Sequence, residues 1–362
     1  MSNFRNVFEG KTVLVTGDTG FKGPWLCSWL LRLGARVVGY GLPADETSSL
    51  FGNLNLDERI THIDGDIRDF GSVKAIFDDY RPEFVFHMAA QSLVRHSYQD
   101  PLYTFSTNVI GTANILEAVR MSPDCRVLIN VTTDKVYDNK EWEYAYREND
   151  PLGGHDPYSA SKACADLLTA VYRQRSFTGR EIGIATVRAG NVYGGGDWAV
   201  DRLVPDIIRS YQRREPVQLR NPGSVRPWQY VLEPLSGYLL LASELYHHAQ
   251  LYSGAWNFGP ETTNVLTVGQ FVHRFMKYWP EMSVRNEEKP NALREANLLR
   301  LDWTKSASML RWFPALTLDE GLERTAEWYQ SELRGDADFG KAIEYIDDYT
   351  RIAALRSVCW TK

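Results

Sequence analysis

The chain has 362 residues, a formal net charge of -6, 44% hydrophobic residues and 24% charged residues. That balance suits a globular protein and excludes a general nucleic-acid binder, which needs a basic footprint, though not a local basic pocket for a phosphorylated small molecule. The longest apolar patch, "GYLLLASELY" (237–246), is interrupted and too short to span a bilayer, and "MSNFRNVFEGK" lacks the apolar core of a signal peptide, so a cytoplasmic chain with no membrane partner is expected.

Residues 11–16, "KTVLVT", predict a short buried strand, apolar and β-branched. A glycine-rich turn follows, then "PWLCSWLLRLG", apolar at helical spacing and stopped at Gly34. "ARVVGYGL" predicts a second strand and "HIDGDIRD" a third, followed by a helical "SVKAIFDDYR". A fourth strand in "PEFVFHMAAQ" leads to the helix "NVIGTANILEAVRM" and a fifth strand, "RVLINVTT". The long helix "YSASKACADLLTAVYRQRS" and a sixth strand, "IGIATVRAGNVYG", complete the series.

Strand and helix thus alternate over about 190 residues, the pattern of right-handed βαβ crossovers. The expected fold is α/β: a Rossmann-like, doubly wound parallel sheet over residues 1–190, with parts of 226–260 added. Residues 191–362, richer in Gly and Pro, are expected to form mainly a smaller mixed α/β lobe for substrate, with a helical tail. Ligands bind at the carboxyl ends of such strands, which places the glycine turn, "HMAAQ" and "TTDK" along one rim. Cys27, Cys125, Cys164 and Cys359 are scattered, with no CxxC pair, so free thiols and no metal are expected.

In "TGDTGFKG", Gly17, Gly20 and Gly23 stand three apart between a strand and a helix. Glycine there permits a tight turn and close approach to a pyrophosphate at the helix amino end, so a dinucleotide is expected. The second strand ends without the usual ribose-binding acid; Asp45 and Glu46 are the first acids after it. No arginine follows to take a 2'-phosphate, which tilts the reading toward NAD over NADP. Asp66 and Ile67 would flank an adenine, although Asp66 serves equally as a loop cap.

"YSASK" sets Tyr158 and Lys162 four residues apart, on one face of a helix. An ammonium beside a phenol favours phenolate and suits Tyr158 to proton abstraction, while Lys162 can also reach a cofactor ribose.

With these residues in place, the chain resembles the extended short-chain dehydrogenase/reductase superfamily. The resemblance rests on "TGDTGFKG", "DGDIRD", "HMAAQ", "STNVIGTANILEA", "TTDKVY", "DPYSASK", "VRAGNVYG" and "RPWQYV", and covers about residues 10–330. Within that superfamily, "DKVYDNKEW", "YRENDPLGGHDPYSASK" and "RAGNVYGGGDWAVDRLVPD" are similar to the CDP-glucose 4,6-dehydratases. The resemblance implies an NAD-dependent lyase working on a nucleotide-sugar, with CDP-glucose favoured. Phe21, Ala89, Ala90, Gln91 and Asn108 would join the glycines, Tyr158 and Lys162 around the cofactor. It also implies a homodimer built through two helices of the cofactor domain, including the helix of Tyr158.

Such a lyase oxidises the sugar at C4, removes the acidified C5 hydrogen, expels the C6 hydroxyl as water and returns hydride to C6. It therefore needs a second acid/base pair, and Asp134 and Lys135 are the adjacent candidates on the rim. The resemblance makes Asp134 the acid toward the C6 oxygen and Lys135 the base at C5, with Thr133 on the C4 oxygen beside Tyr158. Related glucose dehydratases carry Glu where Lys135 stands, and in water both groups would hold the opposite protonation state. Consecutive strand residues also point to opposite faces, so both reach one sugar only if the strand has ended. The roles of the two therefore stay open.

Asn191 closes the sixth strand within reach of a phosphate or the sugar. Arg202 and Arg226 stand in loops rich in Gly and Pro, suited to a diphosphate. Arg294, in "NALREA", replaces a histidine of the family pattern and is a further diphosphate candidate. A 4-epimerase, needing only Tyr and Lys, and a non-catalytic dinucleotide-binding regulator are the competing readings.

Overall fold

The computed structural model describes residues 3–44, 49–219, 221–261, 265–286 and 298–361. Six strands follow the alternating pattern: β1 (Thr12–Thr16), β2 (Arg36–Gly41), β3 (Thr61–Asp64), β4 (Phe84–His87), β5 (Val127–Val131) and β6 (Gly183–Ala189). Further along come β7 (Asn191–Tyr193), β8 (Val217–Leu219), β9 (Val225–Tyr230), β10 (Gly254–Phe258), β11 (Val265–Thr267) and β12 (Val284–Asn286).

The main sheet has seven strands in the order β10-β6-β5-β4-β1-β2-β3, and every pair in it is parallel. Both faces are covered, so strand side chains divide between two cores. Val13 and Val15 pack into one and Leu14, between them, into the other. The chain steps outward from β1 through β2 to β3, then returns to β4 on the other side of β1. The order of strands reverses between β1 and β4, and a crevice opens there at the carboxyl ends.

Two features depart from the expected element pattern. The sixth strand is broken at Gly190, where a Cβ would lie 2.4 Å from the Pro227 ring. Only glycine lets the backbone pass there, and beyond it β7 leaves the sheet to pair with β9 in a small sheet ordered β11-β9-β7. Secondly, β10 adds a far edge strand beside β6 that the sequence pattern did not show. The tail forms the helix Phe339–Leu355, which packs on the helix Lys22–Arg32 of its own chain, with Arg32 Nε 3.0 Å from Asp347 Oδ1. Among the described residues, no helix is long and apolar enough to cross a membrane.

Candidate active site

The glycine turn is built by sterics. Gly17 has φ +73° and donates its N–H to Tyr40 O at 2.8 Å, and a Cβ on it would lie 2.7 Å from the Ala89 backbone. At Gly23 a Cβ would stand 2.3 Å from Asp18 O. These contacts hold the turn close against β4 and leave its upper side as a groove of about 230 Å³. Gly17, Gly20, Phe21 and Gly23 line it from the turn, Asp66 and Ile67 from beyond β3, and Ala89 and Ala90 from beyond β4. A turn whose close approach to Ala89 no side chain at Gly17 would allow, with the open groove above it, fits a dinucleotide pyrophosphate. Asp66 also chelates Arg68, whose Nη2 lies 2.5 Å from Oδ2, and this charge pair holds the Asp66 carboxyl below its ordinary pKa.

Gln91 and Asn108, expected at the cofactor, do not line this groove. Gln91 N donates to Asn108 Oδ1 at 2.9 Å, and Asn108 Nδ2 donates to Gln91 O at 3.0 Å and Ser161 Oγ at 2.9 Å. Their amides are satisfied within the protein and tie the "HMAAQ" loop to the helix of Tyr158. Asp45 and Glu46 lie outside the described residues.

Asp134 and Lys135, expected as a second acid/base pair, sit where the strand has stopped. β5 ends at Val131, and Asp134–Val136 form a single 3₁₀ turn, so the alternation of faces no longer applies. Thr133 caps this turn: its hydroxyl donates to Asp134 Oδ1 at 2.9 Å and accepts from Lys135 N at 3.4 Å. The neighbouring helix, Pro157–Tyr172, starts with Pro157 behind the N-cap Asp156, whose carboxylate accepts from Ser159 N at 2.9 Å. That cap fixes Tyr158 in the first turn and Lys162 one turn later. The Lys135 ammonium lies 6.0 Å from the centre of the Tyr158 ring. Thr133, Asp134, Lys135 and Tyr158 are thereby gathered at one place.

Burial dominates the electrostatics. It raises the Asp134 carboxyl above its ordinary pKa, against the pull of Lys135, the Thr133 hydrogen bond and Arg226. Asp134 is 2% exposed, and its Oδ2 has no hydrogen-bond partner. Burial pushes the Tyr158 phenol up to about 12, with the Thr133 hydrogen bond and Arg202 acting the other way and Asp134 reinforcing it. Lys162 donates its ammonium to Val131 O at 2.9 Å, and burial lowers it to about 8. The expected depression of the phenol by Lys162 is therefore absent from this arrangement: the lysine is turned to a backbone carbonyl, and desolvation outweighs the charges.

One buried ion pair joins the two halves of this centre. Arg188 donates from Nε to Asp166 Oδ2 at 2.7 Å and from Nη2 to Oδ1 at 2.9 Å. Its Nη1 donates to the Tyr137 hydroxyl at 2.9 Å. Asp166 lies one turn beyond Lys162, and Tyr137 directly follows the Asp134–Val136 turn.

A second cavity, of about 470 Å³, is lined by Lys135, Arg226, Asp156, Ser159 and Tyr137 among others. Arg226, on β9, is thus brought to the acid/base turn. Arg202 is not: it lines the dinucleotide groove, held by Asp197 at 3.0 Å and Ser92 at 3.0 Å. Asn191 opens β7, paired with Trp228, and lines neither cavity. Arg294 lies outside the described residues. Sequence reasoning missed Lys22 and Ser92 in the groove, and Ser159 and His155 in the cavity. Lys22 stood inside the quoted glycine motif, but no residue spacing marks it as functional.

The geometry agrees with what the chain is similar to. A CDP-glucose 4,6-dehydratase of Salmonella typhimurium is 45% identical over 350 residues, covering 95% of this chain and 98% of that protein. A dTDP-glucose 4,6-dehydratase of Bacillus anthracis, solved in complex with NAD, superposes with a TM-score of 0.75 at 21% identity, over 90% of this chain and 98% of the other. The epimerase Mth375 of Methanothermobacter thermautotrophicus reaches a TM-score of 0.80 at 22% identity, over 92% and 97%. At such identities the two structures establish the shared fold alone. The family profile described as GDP-mannose 4,6 dehydratase matches residues 14–325, and the chain belongs to that family.

Proposed function

We propose that the chain is an NAD-dependent nucleotide-sugar 4,6-dehydratase, a hydro-lyase, and that its substrate is CDP-glucose. The observation carrying the dehydratase reading is the Asp134–Val136 turn, which sets a buried carboxyl and an amine beside Tyr158, with Lys135 at the wall of a cavity that Asp134 and Tyr158 themselves do not line. The choice of CDP-glucose is supported by the 45% identity to the Salmonella enzyme of that name.

Bound NAD supplies a hydride acceptor for C4 and later a hydride donor for C6. The protein's own residues move the protons. Tyr158 takes the C4 hydroxyl proton; the Thr133 hydrogen bond and Arg202 already oppose the upward push of burial on its phenol. Lys162, at about 8, still holds its charge near neutral pH and steadies the same corner. Asp134, biased by burial toward its protonated form, is suited to protonate the departing C6 oxygen. Lys135, on the cavity wall, is the base for C5. Arg226 brings positive charge to the same cavity, suited to a substrate diphosphate.

A 4-epimerase has no elimination to catalyse and no use for this turn. Incubation with CDP-glucose should produce the base-labile ultraviolet chromophore of a 4-keto-6-deoxy sugar. Its absence with every common nucleotide-glucose would reject the dehydratase reading.

The chain is further expected to work as a homodimer in the cytoplasm. Leu102, Ile110, Leu167 and Val171 are 82%, 53%, 57% and 46% exposed on adjacent helices of the cofactor unit, including that of Tyr158. Apolar exposure of this kind fits a second copy. Among the described residues the cysteines form no disulfide, which fits a reducing compartment.

A further inference from the structure

The dinucleotide groove contains a titratable side chain that the dehydration scheme leaves unused. Lys22 opens the helix Lys22–Arg32 directly behind the glycine turn and lines the groove beside Gly17, Met88 and Ala90. Its ammonium lies 5.7 Å from the centre of the Tyr238 ring. Tyr238 is completely buried, its hydroxyl has no hydrogen-bond partner, and it is close enough to Tyr158 for the two phenols to interact electrostatically. Lys22 is thus drawn to the end of the groove that faces the acid/base centre.

The charges around it are mostly of its own sign. Arg202 and Lys162 repel it, and the acid that attracts it is Asp134. Burial, with that repulsion added to it, brings the amine down to about 7. Lys22, Lys162 and Arg202 are thus near enough to repel one another, but Asp197 holds Arg202 and Asp166 attracts Lys162, whereas Lys22 has Asp134 alone in opposition.

A cation, which Lys22 carries below about pH 7, acts unequally on the two forms of a nicotinamide. The oxidised ring carries a positive charge and the reduced ring carries none, so repulsion weakens only the oxidised state. We propose that Lys22 tunes the bound dinucleotide, placing positive charge where it disfavours oxidised relative to reduced nicotinamide and so strengthens the bound NAD as a hydride acceptor. The proposal rests on the NAD-dependent reading above, and gives Lys22 a use within it. The first step takes hydride from an unactivated secondary alcohol, and the reduced cofactor must then stay bound until water has left. A cation that favours the reduced state assists both.

The test is binding, measured apart from turnover. NAD+ and NADH are titrated separately into the full chain freed of nucleotide, followed by isothermal calorimetry, for the wild type, Lys22→Met and Lys22→Arg. Lys22→Met, similar in length but uncharged, is expected to lower the ratio Kd(NAD+)/Kd(NADH) about tenfold, equivalent to about 30 mV for a two-electron couple. Lys22→Arg is expected to preserve the ratio. Equal weakening of both nucleotides would make Lys22 an anchor for the diphosphate and overturn the proposal, as would an unchanged ratio. Should Lys22→Met fail to fold, Lys22→Gln carries the same comparison. Failure of the wild type to bind either nucleotide would instead strike down the NAD reading itself, and the proposal with it.

Discussion

Replacing Arg188 by Met tests whether the buried ion pair organises the centre. The side chains of Arg188 and Asp166 are 2% and 3% exposed, and the guanidinium makes two bonds to the carboxylate, one to the Tyr137 hydroxyl and one, at 3.1 Å, to Glu148 O. Methionine fills much of the volume but leaves Asp166 with only the hydroxyls of Thr132 and Thr186, at 3.2 and 3.1 Å. Removing one partner of a buried pair costs about 3–5 kcal/mol, because the surviving charge stays desolvated. Urea denaturation of Arg188→Met should show a loss in that range. The double variant Arg188→Met/Asp166→Asn, with no stranded charge, should recover at least ~1 kcal/mol of it. Since Tyr137 adjoins the Asp134–Val136 turn, elimination should also slow more than hydride transfer in the single variant. A loss below ~1 kcal/mol, or strict additivity in the double variant, would refute the reasoning.

Tyr158→Phe should depress C4 oxidation, and every later step, by at least about 100-fold while NAD binding persists, as read by NADH absorbance after mixing with CDP-glucose. Lys135→Ala should leave that absorbance signal measurable yet stop loss of water; if oxidation fails equally, the assignment of Lys135 is wrong. Gly17→Ala forces a side chain into a left-handed backbone at φ +73°, against the Ala89 backbone, and should cost at least about 1–2 kcal/mol, seen as weaker NAD binding in titration calorimetry or a lower Tm. Burial keeps Glu233 protonated up to about 7, whereas in the unfolded chain it ionises near 4.5. Its contribution to stability is thus complete below pH 4.5 and lost as pH rises through 7, on the order of 3 kcal/mol; Glu233→Gln should remove this part of the slope in urea titrations across that window. Leu167→Glu, which places a charge on the exposed apolar surface, should shift a dimer toward monomer in sedimentation velocity, and an unmoved boundary would point to another interface.

What the sequence disclosed was local. The turn between β1 and its helix is legible because three glycines have to stand between an apolar strand and an apolar helix. Tyr158 and Lys162 share a face because four residues make one helical turn, and Asp156 and Pro157 announce where that helix begins. The sequence also posed the right objection to Asp134 and Lys135, that strand neighbours diverge; the answer, a strand ending at Val131, depends on how β5 meets the loop before Tyr137. What stayed hidden depends on distant partners. Gln91 finds Asn108 and Arg202 finds Ser92, and neither pairing leaves a spacing to read. Lys22 gains meaning only from Tyr238, far along the chain. The lowering of Tyr158 by Lys162 failed as an expectation because spacing reveals proximity but not desolvation.

The position of β10 constrains how this protein is made. A ribosome releases β6 long before Gly254–Phe258 emerges, so for some seventy residues of synthesis β6, paired with β5 on one side, leaves its other edge open. The Asp134–Val136 turn and Tyr158 will have been translated by then, but the sheet beneath them is still unfinished. Nascent chains stalled before β10 should therefore be sticky and protease-sensitive, and a fragment cut after β6 would make a poor minimal nucleotide-binding module.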